Sequence, residues 1–234
     1  VVEAGNERIV VDMGNGTITG LQRITDLFAI DAVLFSHLHP DHCADFLPLV
    51  VHRKYHPEPP YDPSQRKLPV YGPGNAASRF AAAYASDEEE LRRTNLSDVF
   101  SFRPYGTGSQ MIAGFTVTAA KVAHPCEAYG VRIERGGRSL CYTGDSAPCE
   151  ALVRLADGVD TLLAEASWTD APNRPPNLHM SGRQAGELAA KASVGRLVVT
   201  HVTPWTDREE VLAEARNAFP GEVVLAATGA RYQI

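Results

Sequence analysis

Residues Ser36–Cys43 read S-H-L-H-P-D-H-C and directly follow the apolar run Ala32–Phe35. His37, His39, Asp41 and His42 are all of metal-ligating type and stand at the mouth of a short β-rich segment. His37 and His39 are two positions apart, so in extended chain they project to the same side. Pro40 then bends the path ahead of Asp41 and His42. A single tetrahedral zinc does not hold all four comfortably. Two ions can, with His37 and His39 on one and Asp41 and His42 on the other. The bland alternative is a histidine-rich surface loop. The remainder of the chain argues against it. His124 lies just past the run 115–122, Asp145 just past 139–142 in Y-T-G-D-S, and His201 immediately after 197–200. Each candidate sits at the C-terminal end of an apolar run, where a sheet-based enzyme gathers its ligands.

The surrounding pattern is that of an α/β protein. Strands are expected at 1–4, 8–12, 32–35, 70–71, 115–122, 161–164, 197–200 and 223–226. The runs 131–134 and 139–142 flank Gly136-Gly137, a hairpin signal. Helical spacing covers 21–28, 45–55, 75–85, 181–192 and 207–219, with Ser181 as an N-cap and Asp207 and Glu210 in capping-box register. The acid run Asp87–Glu90 reads as a solvated helix start, and the proline-rich stretch 57–69 as a loop. No internal repeat and no low-complexity linker interrupts the chain, so a single domain over residues 1–234 is expected.

Composition closes off other classes. With 44% hydrophobic and 21% charged residues, the 234-residue chain is neither fibrous nor disordered, and it holds no apolar run long enough to span a bilayer. A net charge of −6 argues against a dedicated nucleic-acid coat. Cys43, Cys126, Cys141 and Cys149 form no C-x-x-C pair and are too few for a disulfide scaffold, so a cytoplasmic setting is expected. No secretory signal opens the chain. It begins without methionine on a strand, which leads us to expect that its start lies upstream.

The segment 37–42 also resembles the H-x-H-x-D-H signature of the metallo-β-lactamase superfamily, and the match extends from Asp12 to His201 and beyond. The resemblance implies a four-layer αββα sandwich with a dinuclear site. Carried over by residue, His37, His39 and His124 hold the first metal, Asp41, His42 and His201 the second, and Asp145 bridges both. Asp12, in V-D-M-G-N-G-T, matches an early aspartate that steadies the histidine loop. Imidazoles and carboxylates without thiolate favour two Zn2+ ions, with Mn2+ or Fe as alternatives. The iron-dependent redox branch has glutamate where His39 stands, so a diiron redox role is not expected. The zinc lactamases lack an aspartate bridge such as Asp145, which leaves hydrolysis of a phosphodiester or another ester.

Within the superfamily the chain is most similar to ribonuclease Z-like phosphodiesterases, on the strength of D-M-G-N-G-T at 12–17, E-A-S at 165–167 and H-M-S at 179–181. The likeness implies His179 as general acid beside the leaving oxygen, with Glu165 orienting it and Asp41 aligning the nucleophile. One departure matters. Ribonuclease Z enzymes carry a long tRNA-gripping arm between the residues matching His124 and Asp145, and here only a hairpin fills 125–144. The acidic charge disfavours a large polyanion as well. A small phosphodiester is therefore expected rather than RNA. The runs 123–132 and 166–179 look similar to an actinobacterial group of cyclic-nucleotide phosphodiesterases, which points to 3′,5′-cyclic AMP. RNA 3′-end processing and thioester or other ester hydrolysis are the alternatives. The family's additional first strand and Gly/Ser-rich loop are not visible here. Relatives with this layout are often homodimers, and no membrane partner is implied.

Overall fold

The computed structural model describes all residues, 1–234. The chain packs as two compact units, Val1–Tyr105 and Gly106–Ile234. No helix is long and apolar enough to cross a membrane.

In the first unit, β1 (Val2–Ala4) and β2 (Glu7–Val11) form an antiparallel pair, followed by α1 (Thr17–Gln22), β3 (Ala32–Leu34), α2 (Pro40–Cys43) and α3 (Phe46–Tyr55). Then come β4 (Leu68–Gly72), α4 (Ala76–Tyr84), α5 (Glu88–Arg93) and β5 (Phe100–Pro104). The five strands lie in the order β1-β2-β3-β4-β5, and from β2 onward all pairs are parallel. A parallel sheet is covered on both faces, and β3 (A-V-L) is accordingly buried at every position. The core gathers Phe35, Phe46, Phe80 and Phe100 at ring separations of 4.3–5.5 Å. The expected helix over 21–28 is two pieces. α1 ends at Gln22, and Asp26 then caps a 3-10 turn, Leu27–Ala29, by accepting from the Phe28 amide. The acid run behaves as a helix start, with the Asp87 side chain accepting from Glu90 N at the head of α5.

The second unit runs β6 (Ser109–Ile112), β7 (Phe115–Lys121), β8 (Tyr129–Arg135), β9 (Arg138–Tyr142), α6 (Glu150–Ala156) and β10 (Thr161–Glu165). It ends with α7 (Gly182–Lys191), β11 (Arg196–Thr200), α8 (Arg208–Ala218) and β12 (Glu222–Leu225). Its sheet order is β12-β11-β10-β9-β8-β7-β6. The strands from β9 to β12 are parallel, and β6 to β9 are antiparallel. Gly136 and Gly137 both take positive φ (60° and 76°) and close the β8–β9 hairpin, as that turn demands. α7 begins with a complete capping box between Ser181 and Gln184. Because β7 runs the same way as β9, β10 and β11, four C-terminal strand ends share one edge of this sheet.

Candidate functional site

In the first unit the site grows from one register. Val11 pairs with Leu34, so β2 and β3 end side by side. Asp12, next in the chain, donates its amide to Leu34 O at 2.8 Å and takes φ 55°, a left-handed conformation uncommon outside glycine. That turn aims its carboxylate at the histidine loop. Oδ1 accepts from Ser36 N (2.7 Å), and Oδ2 accepts from Ser36 Oγ (2.7 Å) and lies 2.8 Å from His42 Nδ1. The loop is fixed from its far side too, by Met13 N donating to His42 O and Asp45 N to Met13 O. Gly14 runs so close that a Cβ there would stand 1.8 Å from Asp41 O. His37 is fully buried, His42 nearly so, and His39 and Asp41 are exposed.

His37 Nδ1 lies 3.1 Å from Ser36 Oγ, which leaves Nε2 facing His39 Nδ1 at 3.0 Å. His42 Nδ1 is engaged by Asp12, and its Nε2 lies 3.7 Å from Asp41 Oδ2. Two ligand atoms on one zinc or similar ion stand about 3–3.5 Å apart, as bond lengths of about 2.0–2.2 Å require. Both pairs are close to that spacing.

The second unit carries its candidates at the shared strand edge. His124 follows β7, Asp145 follows β9, Glu165 ends β10 and His201 follows β11. His201 also takes a left-handed φ of 55°. Its Nδ1 lies 2.9 Å from Ser167 Oγ, and its Nε2 stands 3.6 Å from Asp145 Oδ1. The Nδ1 of His124 lies 3.0 Å from the Leu178 carbonyl. Glu165, His179 and His201 bring their ligand-type atoms within 4.8 Å of one another. Glu165 is wholly buried. It accepts from Ser146 N (2.8 Å) and Ser167 Oγ (3.0 Å), and its Oε1 lies 2.9 Å from His179 Nδ1. Burial pushes its carboxyl above the usual range, against the pull of His179. The His179 ring, half-buried, stands 5.7 Å from that of His124 and 5.5 Å from that of His201.

A common design emerges. His37, His42, His124, His179 and His201 each face a fixed oxygen through Nδ1 and keep Nε2 for other work. Metal-binding histidines are oriented in this way, and the donor set of imidazoles and carboxylates fits a divalent cation such as zinc. Among the cysteines, burial pushes the Cys141 thiol up to about 12, whereas the exposed Cys126 brings its Sγ within 4.8 Å of a ring nitrogen of His124. Every residue singled out in the sequence occupies one of these two clusters. Ser36, Ser146 and Ser167 were not singled out for a role. Their only signal is position, each one or two places from a candidate ligand or acid in S-H, D-S and E-A-S.

Residues 7–202 match the family model described as a beta-lactamase superfamily domain. The chain is 43% identical to the uncharacterized protein ML1173 of Mycobacterium leprae over 97% of its own length and 78% of that protein's. It is 28% identical to ribonuclease Z of Mycobacterium bovis, over 95% of its length and 86% of the enzyme's. Among solved structures it is similar to the metallo-beta-lactamase fold protein YhfI of Bacillus subtilis, with a TM-score of 0.80 and 26% identity over 99% of this chain and 89% of that one. The chain therefore belongs to the beta-lactamase superfamily and is a metal-dependent hydrolase of that fold.

Proposed function

We propose that the protein is a phosphodiesterase for a small phosphodiester, with 3′,5′-cyclic AMP the leading substrate. In this reading two metal ions, Zn2+ first among the candidates, are held by His37, His39, Asp41, His42, His124, Asp145 and His201. Bound metal supplies Lewis-acid stabilisation of the phosphoryl oxygens and an activated water. The chain's own residues do the rest. Asp12, Ser36, Ser167 and the Leu178 carbonyl fix ring orientation, and Asp41 aligns the nucleophile. His179 protonates the departing ribose oxygen through Nε2, while Glu165 holds its Nδ1.

The observation that carries the reading is the Glu165–His179 pair. A phosphodiester's leaving group is a poor one until protonated, and this pair sets a fixed proton donor beside His201 and Asp145. The size of the substrate rests on the net charge of −6 and on the two-glycine turn joining β8 and β9, which leaves no room for an RNA-gripping arm. The ribonuclease Z likeness supports the alternative, RNA 3′-end processing. Zinc- and manganese-loaded protein should be offered a cyclic-nucleotide panel, precursor tRNA and neutral esters side by side. Turnover of cyclic AMP with tRNA left intact is the expected result. Cleavage of tRNA alone, or of neutral esters alone, overturns it.

A further inference from the structure

We propose that Trp168, Thr169 and Arg174 form a subsite beside His179 that recognises the negative charge of the substrate; this rests on the phosphodiesterase reading. The loop that carries them is tied at both ends. Ser167 N donates to Met180 O, Gly182 N donates to Trp168 O, and Trp168 bridges to Ser181. Pro172, Pro175 and Pro176 stiffen the stretch between. Within it Arg174 is exposed yet pinned. Its Nε donates to Thr169 O at 2.9 Å, its Nη2 to Thr169 Oγ1 at 3.1 Å, and its guanidinium lies over the Trp168 ring at 5.4 Å.

An exposed arginine ordinarily keeps its rotamer freedom. This one has lost it to a neutral residue and an aromatic face, with neither bond neutralising its charge. The nearby carboxylate of Asp170 takes its hydrogen bonds from Arg183 at 3.0 Å and Ser181 Oγ at 3.2 Å and feels Arg174 only through space, as the last of the causes that hold it low. Trp168 is half-buried and links the arginine to the chemistry: its ring stands edge-on to His179, with centroids 5.2 Å apart at 85°. Arg174 thus sits two ring contacts from the proposed proton donor, with Nη1 left to meet an anion. A planar guanidinium suits the oxygens of a phosphodiester and has little to offer a neutral ester. The indole in this arrangement serves as a platform for the arginine.

The test compares the metal-loaded parent with R174Q, R174K and W168L on bis(p-nitrophenyl) phosphate, an anion, and p-nitrophenyl acetate, which is neutral. R174Q should raise KM for the diester about tenfold or more, the scale of losing a charge-assisted contact. Its kcat should change little, its acetate KM should not move, and R174K should recover only part of the loss. Unchanged diester KM in R174Q, or equal losses on both substrates, overturns the subsite. W168L should shift the diester KM in the same direction; if it does not fold, R174Q decides alone, since Arg174 is exposed. If the parent hydrolyses only the acetate, the phosphodiesterase reading fails. The subsite is then judged by inorganic phosphate as inhibitor: a Ki raised in R174Q upholds it and an unchanged Ki overturns it.

Discussion

Oε1 of Glu165 lies 2.9 Å from Nδ1 of His179, and the carboxylate has no exposure to solvent. Ser146 N, Ser167 N and Ser167 Oγ also donate to it, so its orientation is fixed before any substrate arrives. His179 can therefore turn only its Nε2 outward.

Removing the imidazole should separate proton donation from metal binding. His179→Ala is expected to lower kcat by about 10²–10⁴-fold, the usual worth of a positioned acid, with metal content unchanged. Glu165→Gln keeps the shape but places an NH2 where one oxygen accepted, so it should lower kcat and leave KM nearly unmoved. Steady-state kinetics beside elemental analysis of the metal check both. Parent-rate turnover by His179→Ala would remove its role as acid.

Asp12 acts through the histidine loop. It holds Ser36 through two hydrogen bonds and meets His42 at 2.8 Å. Asp12→Asn is the informative change, because asparagine tolerates the left-handed φ of 55° that the position requires. The amide loses the charge that polarises His42. Metal affinity should fall about 10–100-fold, the usual scale for an outer ligand partner. Competition with a chelating dye measures it, and an unchanged affinity would leave Asp12 a turn-former only.

How much of this could be read from the sequence depends on whether the signal is local. The candidate site residues stood out in the sequence because their residue types are rare in that density and follow apolar runs. The capping residue Ser181 was legible because its chemistry is local to the helix start. α6 was missed, and its N-cap, Cys149, makes no side-chain cap bond that could announce it. β5 was missed because F-S-F-R-P ends in proline; it is the edge strand beyond β4, where proline is tolerated. The three orienting serines were unreadable for a different reason. Serine is common in loops, and only the fold shows which hydroxyl meets a carboxylate.

Two glycines test whether the histidine loop is held by close approach. A Cβ on Gly14 would lie 1.8 Å from Asp41 O, whereas one on Gly20, exposed within α1, meets nothing within 4 Å. Gly14→Ala must push the backbone that carries Asp41 and His42. It should cost about 1–3 kcal/mol or more, as overpacking does, and weaken metal binding with it. Gly20→Ala should instead stabilise by about 0.5–1 kcal/mol through helix propensity, with metal binding untouched. Denaturant unfolding with and without metal reads both, and a Gly14→Ala protein with parent stability and affinity would contradict the packing argument.

Away from the candidate site, Asp160 gives a pH signature of the fold itself. Its Oδ2 accepts from Ser139 N at 2.8 Å and Ser139 Oγ at 2.7 Å, tying β9 to the start of β10. The Ser139 hydroxyl is the main cause that holds its carboxyl below the ordinary value of 3.8, with Arg138 adding to it. A carboxyl depressed in the folded state stabilises the protein above its unfolded pKa, and that contribution is lost as pH falls through the folded value. Asp160→Asn should therefore be less stable than the parent at neutral pH, and the difference should close as pH falls past the ordinary carboxyl value and through the depressed folded one. The group is about a third exposed, so solvent screens the effect to a small one. Thermal unfolding of the chelated proteins across that range measures it, and a stability gap that persists undiminished in acid would show that the charge of Asp160 plays no part.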